Sequence, residues 1–103
     1  MNEYQIDLLA SIQRMAISGS QQTGHMIRHE THSWDNGDFW STVQVYDHLS
    51  NQIFKSVSIL RNGDDAIPDY EVGLPGSERR HTLHEQHQLL TDFVANNRKQ
   101  VAA

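Results

Sequence analysis

The chain has 103 residues, 20% of them charged, and a formal net charge of −5 at neutral pH. This length suits a single domain over residues 1–103, because an independent hydrophobic core needs on the order of 100 residues. The negative charge argues against general nucleic-acid binding, in which cations replace the counterions of the phosphates. The lack of cysteine excludes disulfides, a thiolate nucleophile and cysteine-type zinc sites.

Two features of the sequence bear on the location of the protein. No apolar run approaches the roughly 20 residues of a membrane span. The start MNEYQIDLL lacks the basic region of a signal peptide. The sequence therefore predicts a cytoplasmic protein that does not enter the membrane.

An amphipathic helix is predicted over Glu3–Ile17, with Asn2 as its N-cap and Gly19 as its left-handed C-cap. Its buried stripe consists of Tyr4, Leu8, Leu9, Ile12, Met15 and Ala16. Two isoleucines lie off this stripe, Ile6 and Ile17. They are expected either at the edge of the core or at a second contact. The polar segment Ser18–Gly24 is predicted to be a loop.

Three antiparallel strands are predicted within Met26–Leu60, because Asn36-Gly37 is a strong signal for a type I′ hairpin turn. Further turns are predicted at Asp47–Asn51 and Arg61–Asp65. Ile67–Val72 is predicted as a short fourth strand at the sheet edge, where Pro68 is tolerated.

The last helix is predicted to follow the breaker cluster Gly73–Ser77, with Ser77 as its N-cap, and to end near Arg98. Its stripe consists of Leu83, Gln86, Leu90, Phe93, Val94 and Asn97. Residues 98–103 are predicted to be a frayed tail.

The predicted fold class is α+β, an antiparallel meander of three to four strands with the N-terminal and C-terminal helices packed on one face. The order α-β-β-β-(β)-α resembles that of double-stranded RNA-binding domains. Those domains have a basic N-terminus on the second helix, whereas here only Arg79 and Arg80 precede His81. Nucleic-acid binding is therefore the less favoured alternative.

The two faces of the sheet are predicted from strand alternation. Pairing Trp34 with Phe39 predicts a core face that carries Trp34, Phe39, Val43, Val45, Ile53, Val57 and Ile59. The opposite face is predicted to carry Ile27, Leu60 and three aromatic residues, Trp40, Tyr46 and Phe54. Aromatic residues are enriched at protein contacts, so this face is a candidate binding surface or homodimer interface. The alternative is that the aromatic residues only stabilise the sheet or lie beneath a helix.

A second candidate contact surface is the acidic segment that contains Asp64, Asp65, Asp69 and Glu71. Its residues miss the EF-hand calcium pattern, so a solvated acidic loop is favoured. Such a loop suits a protein partner with a basic surface.

Seven histidines are the one compositional oddity. His81 and His84 lie three residues apart on the last helix, with Glu85 beside them, and are the candidate metal ligands. The zinc-protease motif H-E-x-x-H is absent, since Gln88 stands four residues after His84. An assortment of unconnected imidazoles is favoured, and no cofactor is predicted.

Neither a G-x-S-x-G nor a G-x-G-x-x-G motif occurs, so the chain is predicted not to be an enzyme. The favoured function is a small acidic protein-binding module that blocks a basic site on a larger partner. In size, acidity and lack of catalytic motifs the chain is similar to inhibitors that phages encode against host defence, including anti-CRISPR proteins. This resemblance is one of type and covers no specific residues. The alternative is a histidine-based metal-binding protein or metal-dependent enzyme.

Overall fold

The fold was analysed in a computed structural model, which describes residues 1–65 and 78–99. The elements in chain order are α1 (Glu3–Thr23), β1 (Met26–Ser33), β2 (Asp38–Tyr46), β3 (Gln52–Arg61), β4 (Asp64–Asp65), β5 (Glu78–Arg80) and α2 (Leu83–Asn96). The predicted α+β class is confirmed, with one helix before and one helix after the strands of an antiparallel sheet in the chain. Within the described ranges, no helix is long and apolar enough to cross a membrane.

The sheet is built on an antiparallel meander of β1, β2 and β3. The outer edge of β3 carries two short strands, β4 in antiparallel and β5 in parallel orientation. Helix α1 lies over β1, α2 lies over β3, and the two helices contact each other. The helices therefore cover one face of the sheet.

The hydrophobic core lies between the helices and this covered face. Helix α1 contributes Leu8, Ile12 and Ala16, the strands contribute Ile27, Val43, Val45 and Leu60, and α2 contributes Leu83, Leu90 and Val94. The apolar positions of both helices thus recur every three or four residues, as one buried stripe requires.

Helix α1 is longer than predicted, because residues 18–23 continue it and do not form a loop. Asn2 is the N-cap, as predicted, and shares a capping box with Gln5. Gly19 lies inside the helix and is buried. It packs closely against α2, because a Cβ at this position would stand 2.8 Å from Val94 Cγ2. The left-handed C-cap is Gly24, with φ of 75°.

The two Asn-Gly turns adopt different conformations. At the β1–β2 turn the Gly37 N–H donates to Trp34 O, and only the glycine of Asn36-Gly37 has positive φ. The predicted type I′ turn is therefore wrong there, and Asn36 Oδ1 instead accepts from Asp38 N. At the β3–β4 turn Asn62 and Gly63 have φ of 54° and 86°, as a type I′ turn requires.

Helix α2 begins later than predicted. Its N-cap is Thr82, which forms a capping box with Glu85, and residues 78–80 form β5. The capping box is the sequence signal that identifies this start. The predicted fourth strand Ile67–Val72 and the cluster Gly73–Ser77 lie outside the described residues.

The helix also ends earlier than predicted, at Asn96. Beyond it the Lys99 N–H donates to Gln22 O over 2.7 Å, which ties this part of the predicted tail to the end of α1. The remaining tail residues, 100–103, lie outside the described part of the chain.

The pairing of β2 with β3 changes the predicted faces. Phe39 pairs with Leu60 and Val43 pairs with Ser56, so these residues share the covered face. Val57 pairs with Thr42, which places it on the opposite face. Ile27 and Leu60 were predicted on the opposite face but lie on the covered face. Val57, Ile59 and Trp34 were predicted on the core face but lie on the opposite face. A shift of one residue in register exchanges the two faces of a strand.

Candidate functional site

The candidate site lies on the sheet face that the helices leave uncovered, which we call the open face. Alternate residues of β2 point to this face: Trp40, Thr42, Gln44 and Tyr46. The neighbouring strand β1 places Arg28, Glu30 and His32 beside them. Val57 and Ile59 of β3 share this face and are buried, so the open face combines apolar, aromatic, polar and charged side chains.

Two tryptophans form the centre of the site, and we call them the tryptophan pair. The ring centroids of Trp34 and Trp40 lie 5.7 Å apart at an interplanar angle of 56°. Trp34 lies at the start of the β1–β2 turn, where 52% of it is exposed. Trp40 lies within β2 and is partly buried. This geometry leaves one large aromatic side chain accessible and supports it with a second.

The indole nitrogen of Trp40 is buried, and within the described part of the chain it has no hydrogen-bond partner. A buried polar group without a partner is rare in folded proteins. His32 pairs with Trp40 across the strands, and its ring centroid lies 6.5 Å from that of Trp34. An imidazole ring thus lies beside the tryptophan pair.

Charged residues beside the tryptophan pair form a small ion-pair cluster. Arg28 bonds Glu30, and His32 Nε2 lies 3.8 Å from the second oxygen of the same carboxylate. All three side chains are about half exposed. An exposed cluster of this kind adds little to stability, so its charges remain available to a partner.

Three predicted contact residues divide between the faces. Trp40 and Tyr46 lie on the open face, as predicted. Phe54 lies on the covered face, because it pairs with Val45, in the same register that pairs Phe39 with Leu60. Its ring contacts the ring of Phe93 in α2, edge to face, at a centroid distance of 5.5 Å. Phe54 therefore belongs to the core and is not available at the surface with Trp40.

Trp34 is the functional candidate that strand alternation missed. The predicted pairing placed it in the core, but it precedes Asp38 in the turn and its ring packs on Trp40. The signal that could have identified its exposure is its position next to the turn residues Asp35-Asn36-Gly37.

Of the predicted acidic segment, the structure describes Asp64 and Asp65. Both are exposed residues of β4. Asp65 Oδ1 accepts from the Leu83 N–H over 3.0 Å, so this carboxylate stabilises the start of α2. Asp69 and Glu71 lie outside the described residues.

The candidate metal ligands do not converge. His81 Nδ1 bonds Ser56 Oγ at 2.8 Å, whereas His84 Nδ1 bonds the hydroxyl of Tyr4 at 2.9 Å. Among the described residues, no three His, Asp or Glu side chains form a group that could hold a metal ion. The two histidines therefore link separate parts of the fold.

A buried hydrogen-bond network crosses the core beneath α2. Gln86 Oε1 accepts from Ser41 Oγ, and its amide nitrogen donates to the carbonyl oxygens of Ser41 and Ser56. His29 bonds Ser41 Oγ at one end, and His81 bonds Ser56 Oγ at the other. Burial lowers the pKa of His29 below its ordinary value. The sequence signal for this network was the glutamine within the apolar stripe of α2.

This network is structural and is not a catalytic site. Gln86 and Ser56 are fully buried and Ser41 is 1% exposed, so no substrate reaches either hydroxyl. A nucleophilic serine must contact its substrate as well as its base. The network instead holds α2 in register on β2 and β3.

No protein-family model, no curated protein and no solved structure matches this chain. The function therefore has to be argued from the residues of the open face and from the charge of the chain.

Proposed function

We propose that the protein is a non-enzymatic protein-binding module that contacts its partner through the tryptophan pair on the open face. The observation that supports this is the exposure of Trp34 over Trp40 on a face that neither helix covers. Tryptophan is enriched among the residues that contribute most to binding energy at protein interfaces. Burying Trp34 in a partner would remove a large apolar surface from water.

The partner that fits this site carries a basic surface. The chain has a net charge of −5, and the two hairpin turns place acidic residues near the tryptophan pair. Asn62 Oδ1 lies 2.8 Å from the position of a Cβ on Gly37, so the β1–β2 and β3–β4 turns are adjacent. Asp35 and Asp64 belong to these turns and are exposed. Their charge would speed association with a cationic partner and help orient it.

In this proposal the module blocks or adapts a basic site on a larger protein, as a phage-encoded inhibitor of a host defence would. Small size and acidity support that form of the function. The open face supports only the more general activity, which is protein binding. The partner's identity would therefore decide between an inhibitor and an adaptor.

The test is affinity capture of the tagged protein from the lysate of its native host, with Trp34→Ala alongside the unaltered chain. Trp34 is 52% exposed, so its truncation should leave the fold intact, which circular dichroism would verify. Leu49→Ala is the matched control, because Leu49 is 70% exposed on the β2–β3 turn. We expect Trp34→Ala to lose a partner that Leu49→Ala retains.

A salt series tests the charge of the interaction. Binding to a basic surface should weaken as the ionic strength rises, because counterions screen exposed charges over about 10 Å at 0.1 M. A captured partner that Trp34→Ala retains in full would contradict the role of the tryptophan pair. A complex that forms through Trp34 but is insensitive to salt would contradict only the basic character of the partner, and not the role of the tryptophan pair.

A further inference from the structure

The inference concerns the outer edge of β1, which is an end strand of the described sheet. Trp34 N–H donates to Asp38 O, and hydrogen-bonded pairs alternate along an antiparallel ladder. Even-numbered residues of β1 therefore bond β2, and odd-numbered residues direct their N–H and C=O groups away from it. Ile27 supports this assignment, because its N–H donates outward to Ser20 Oγ of α1.

Three residues of β1 keep their backbone groups directed at this edge, His29, Thr31 and Ser33. Within residues 1–65 and 78–99, no hydrogen bond involves their outward N–H or C=O groups. The edge is also regular, since β1 pairs with β2 over eight residues without a register shift. It contains no proline and no bulge, which are devices that natural edge strands use against pairing.

We propose that β1 pairs antiparallel with β1 of a second copy of this chain, centred on Thr31. In this register Thr31 of one chain stands opposite Thr31 of the second copy, and His29 stands opposite Ser33 of the second copy. All the outward backbone groups of the three residues would then be paired. On the open face, Glu30 would stand opposite His32 of the second copy on both sides of the two-fold axis.

The neighbouring registers are less suitable. Pairing centred on Glu30 would place two glutamates directly opposite each other, and like charges in such positions are destabilising. Pairing centred on His29 would need the Ile27 N–H, which already donates to Ser20 Oγ. The alternation of charge in β1 therefore favours a second copy in one register.

The side of α1 next to this edge has the apolar surface that such a pairing would cover. Gln13 Oε1 bonds His29 Nδ1, which shows that this side of the helix faces β1. Ile6 and Ile17 lie within about 40° of Gln13 around the helix axis, at 100° per residue. They are 51% and 60% exposed. Neither residue belongs to the core, and a second α1 across the axis would shield them from water.

The proposed pairing would also determine the geometry of binding. Because residues opposite each other in a sheet share a face, both pairs of helices would lie on one side of the joined sheet. Both tryptophan pairs would lie on the other side, facing the same direction. The dimer would thus present two copies of the open face to a partner.

The test is the mass of the full chain in solution, by analytical ultracentrifugation over a concentration series. We expect a species of twice the chain mass of 11.8 kDa. Thr31→Pro should reduce it to the mass of one chain, because proline removes an N–H that β2 does not use. Thr31→Val is the matched control and should remain a dimer. A wild-type chain that stays at 11.8 kDa throughout, or a Thr31→Pro dimer, would overturn the proposal.

A charge exchange tests the register. Glu30→Lys should dissociate the dimer, because it removes the carboxylate that would stand opposite His32 of the second copy on both sides of the axis. The double variant Glu30→His/His32→Glu should restore it, since the exchanged side chains again face each other. Loss of the dimer in this double variant, with circular dichroism unchanged, would refute pairing centred on Thr31.

Discussion

Gln86 offers the sharpest test of the structure, because a fully buried amide lies where an apolar side chain would be expected. Its Oε1 accepts from Ser41 Oγ at 2.7 Å. Its Nε2 donates to Ser41 O at 2.9 Å and to Ser56 O at 3.0 Å. Gln86→Leu keeps a similar volume and removes these three bonds, together with the longer one from Nε2 to Ser56 Oγ at 3.2 Å.

The expected loss follows from these bonds. At about 1 kcal/mol of net stability each, three hydrogen bonds contribute about 3 kcal/mol. The leucine offsets about 1 kcal/mol of this by burying apolar surface in place of an amide. We therefore expect Gln86→Leu to lower the free energy of unfolding by about 2 kcal/mol. That is a large share of the roughly 5–15 kcal/mol that stabilises a domain.

The assay is urea denaturation followed by tryptophan fluorescence. A loss of about 2 kcal/mol should lower the midpoint by about 1–2 M urea at the slope typical of a small domain. Gln88→Leu is the matched control, since Gln88 is exposed on the same helix and bonds Asp92 at its surface. It should change stability by less than about 0.5 kcal/mol.

Two results would refute this reasoning. One is a Gln86→Leu chain as stable as the wild type, which would mean that the hydrogen bonds contribute nothing beyond packing. The other concerns Ser41→Ala/Gln86→Leu, which removes both partners. We expect this double variant to be destabilised by less than the sum of the two single variants, because the Ser41 hydroxyl is no longer left without its acceptor. A double variant destabilised by the full sum would refute the reasoning.

Three further predictions follow from the packing of the sheet and helices. Phe54→Ala should lower the free energy of unfolding by about 2–4 kcal/mol in urea titrations, because Phe54 packs against α2; stability equal to that of Trp34→Ala would contradict its place in the core. Gly19→Ala should lower the free energy of unfolding by about 1–2 kcal/mol in the same assay, because its Cβ would lie 2.8 Å from Val94 Cγ2. Combining it with Val94→Ala should relieve that clash, and a Gly19→Ala cost that stays the same in the Val94→Ala background would contradict the predicted contact. Burial lowers the pKa of His29 below 6.5, so the unfolded chain binds more protons and stability should fall as the pH drops below about 6.5. His29→Gln should flatten this decline between about pH 7 and pH 5.5, and an unchanged slope would show that His29 does not cause it.

The sequence by itself predicted two helices and the three long strands, and how several of these elements begin or turn. Asn2 caps α1 and Asn62-Gly63 forms a type I′ turn, as the residue types require. These features depend on bonds between residues that are close in the chain. Local chemistry predicted these two features, although the same dipeptide at Asn36-Gly37 forms a different turn.

For the candidate site, alternation along β2 correctly placed Trp40 and Tyr46 on one face of the sheet. The same alternation failed across the strands, because the register of β2 with β3 decides which residues share that face. The observed register pairs Phe54 with Val45 and so places it on the covered face. Only contacts between distant residues set this register, and a slip of one residue exchanges the faces of a whole strand.

The length of α1 and the network of Gln86 were also decided by the tertiary structure. Two glycines and three serines or threonines in Ser18–Gly24 predict a loop, yet the helix continues to Thr23, where Gly19 lets α2 approach closely. Gln86 is buried because Ser41 and Ser56 supply its partners from two strands. Packing between distant segments outweighs local propensity at these positions, and a single sequence does not contain those distances.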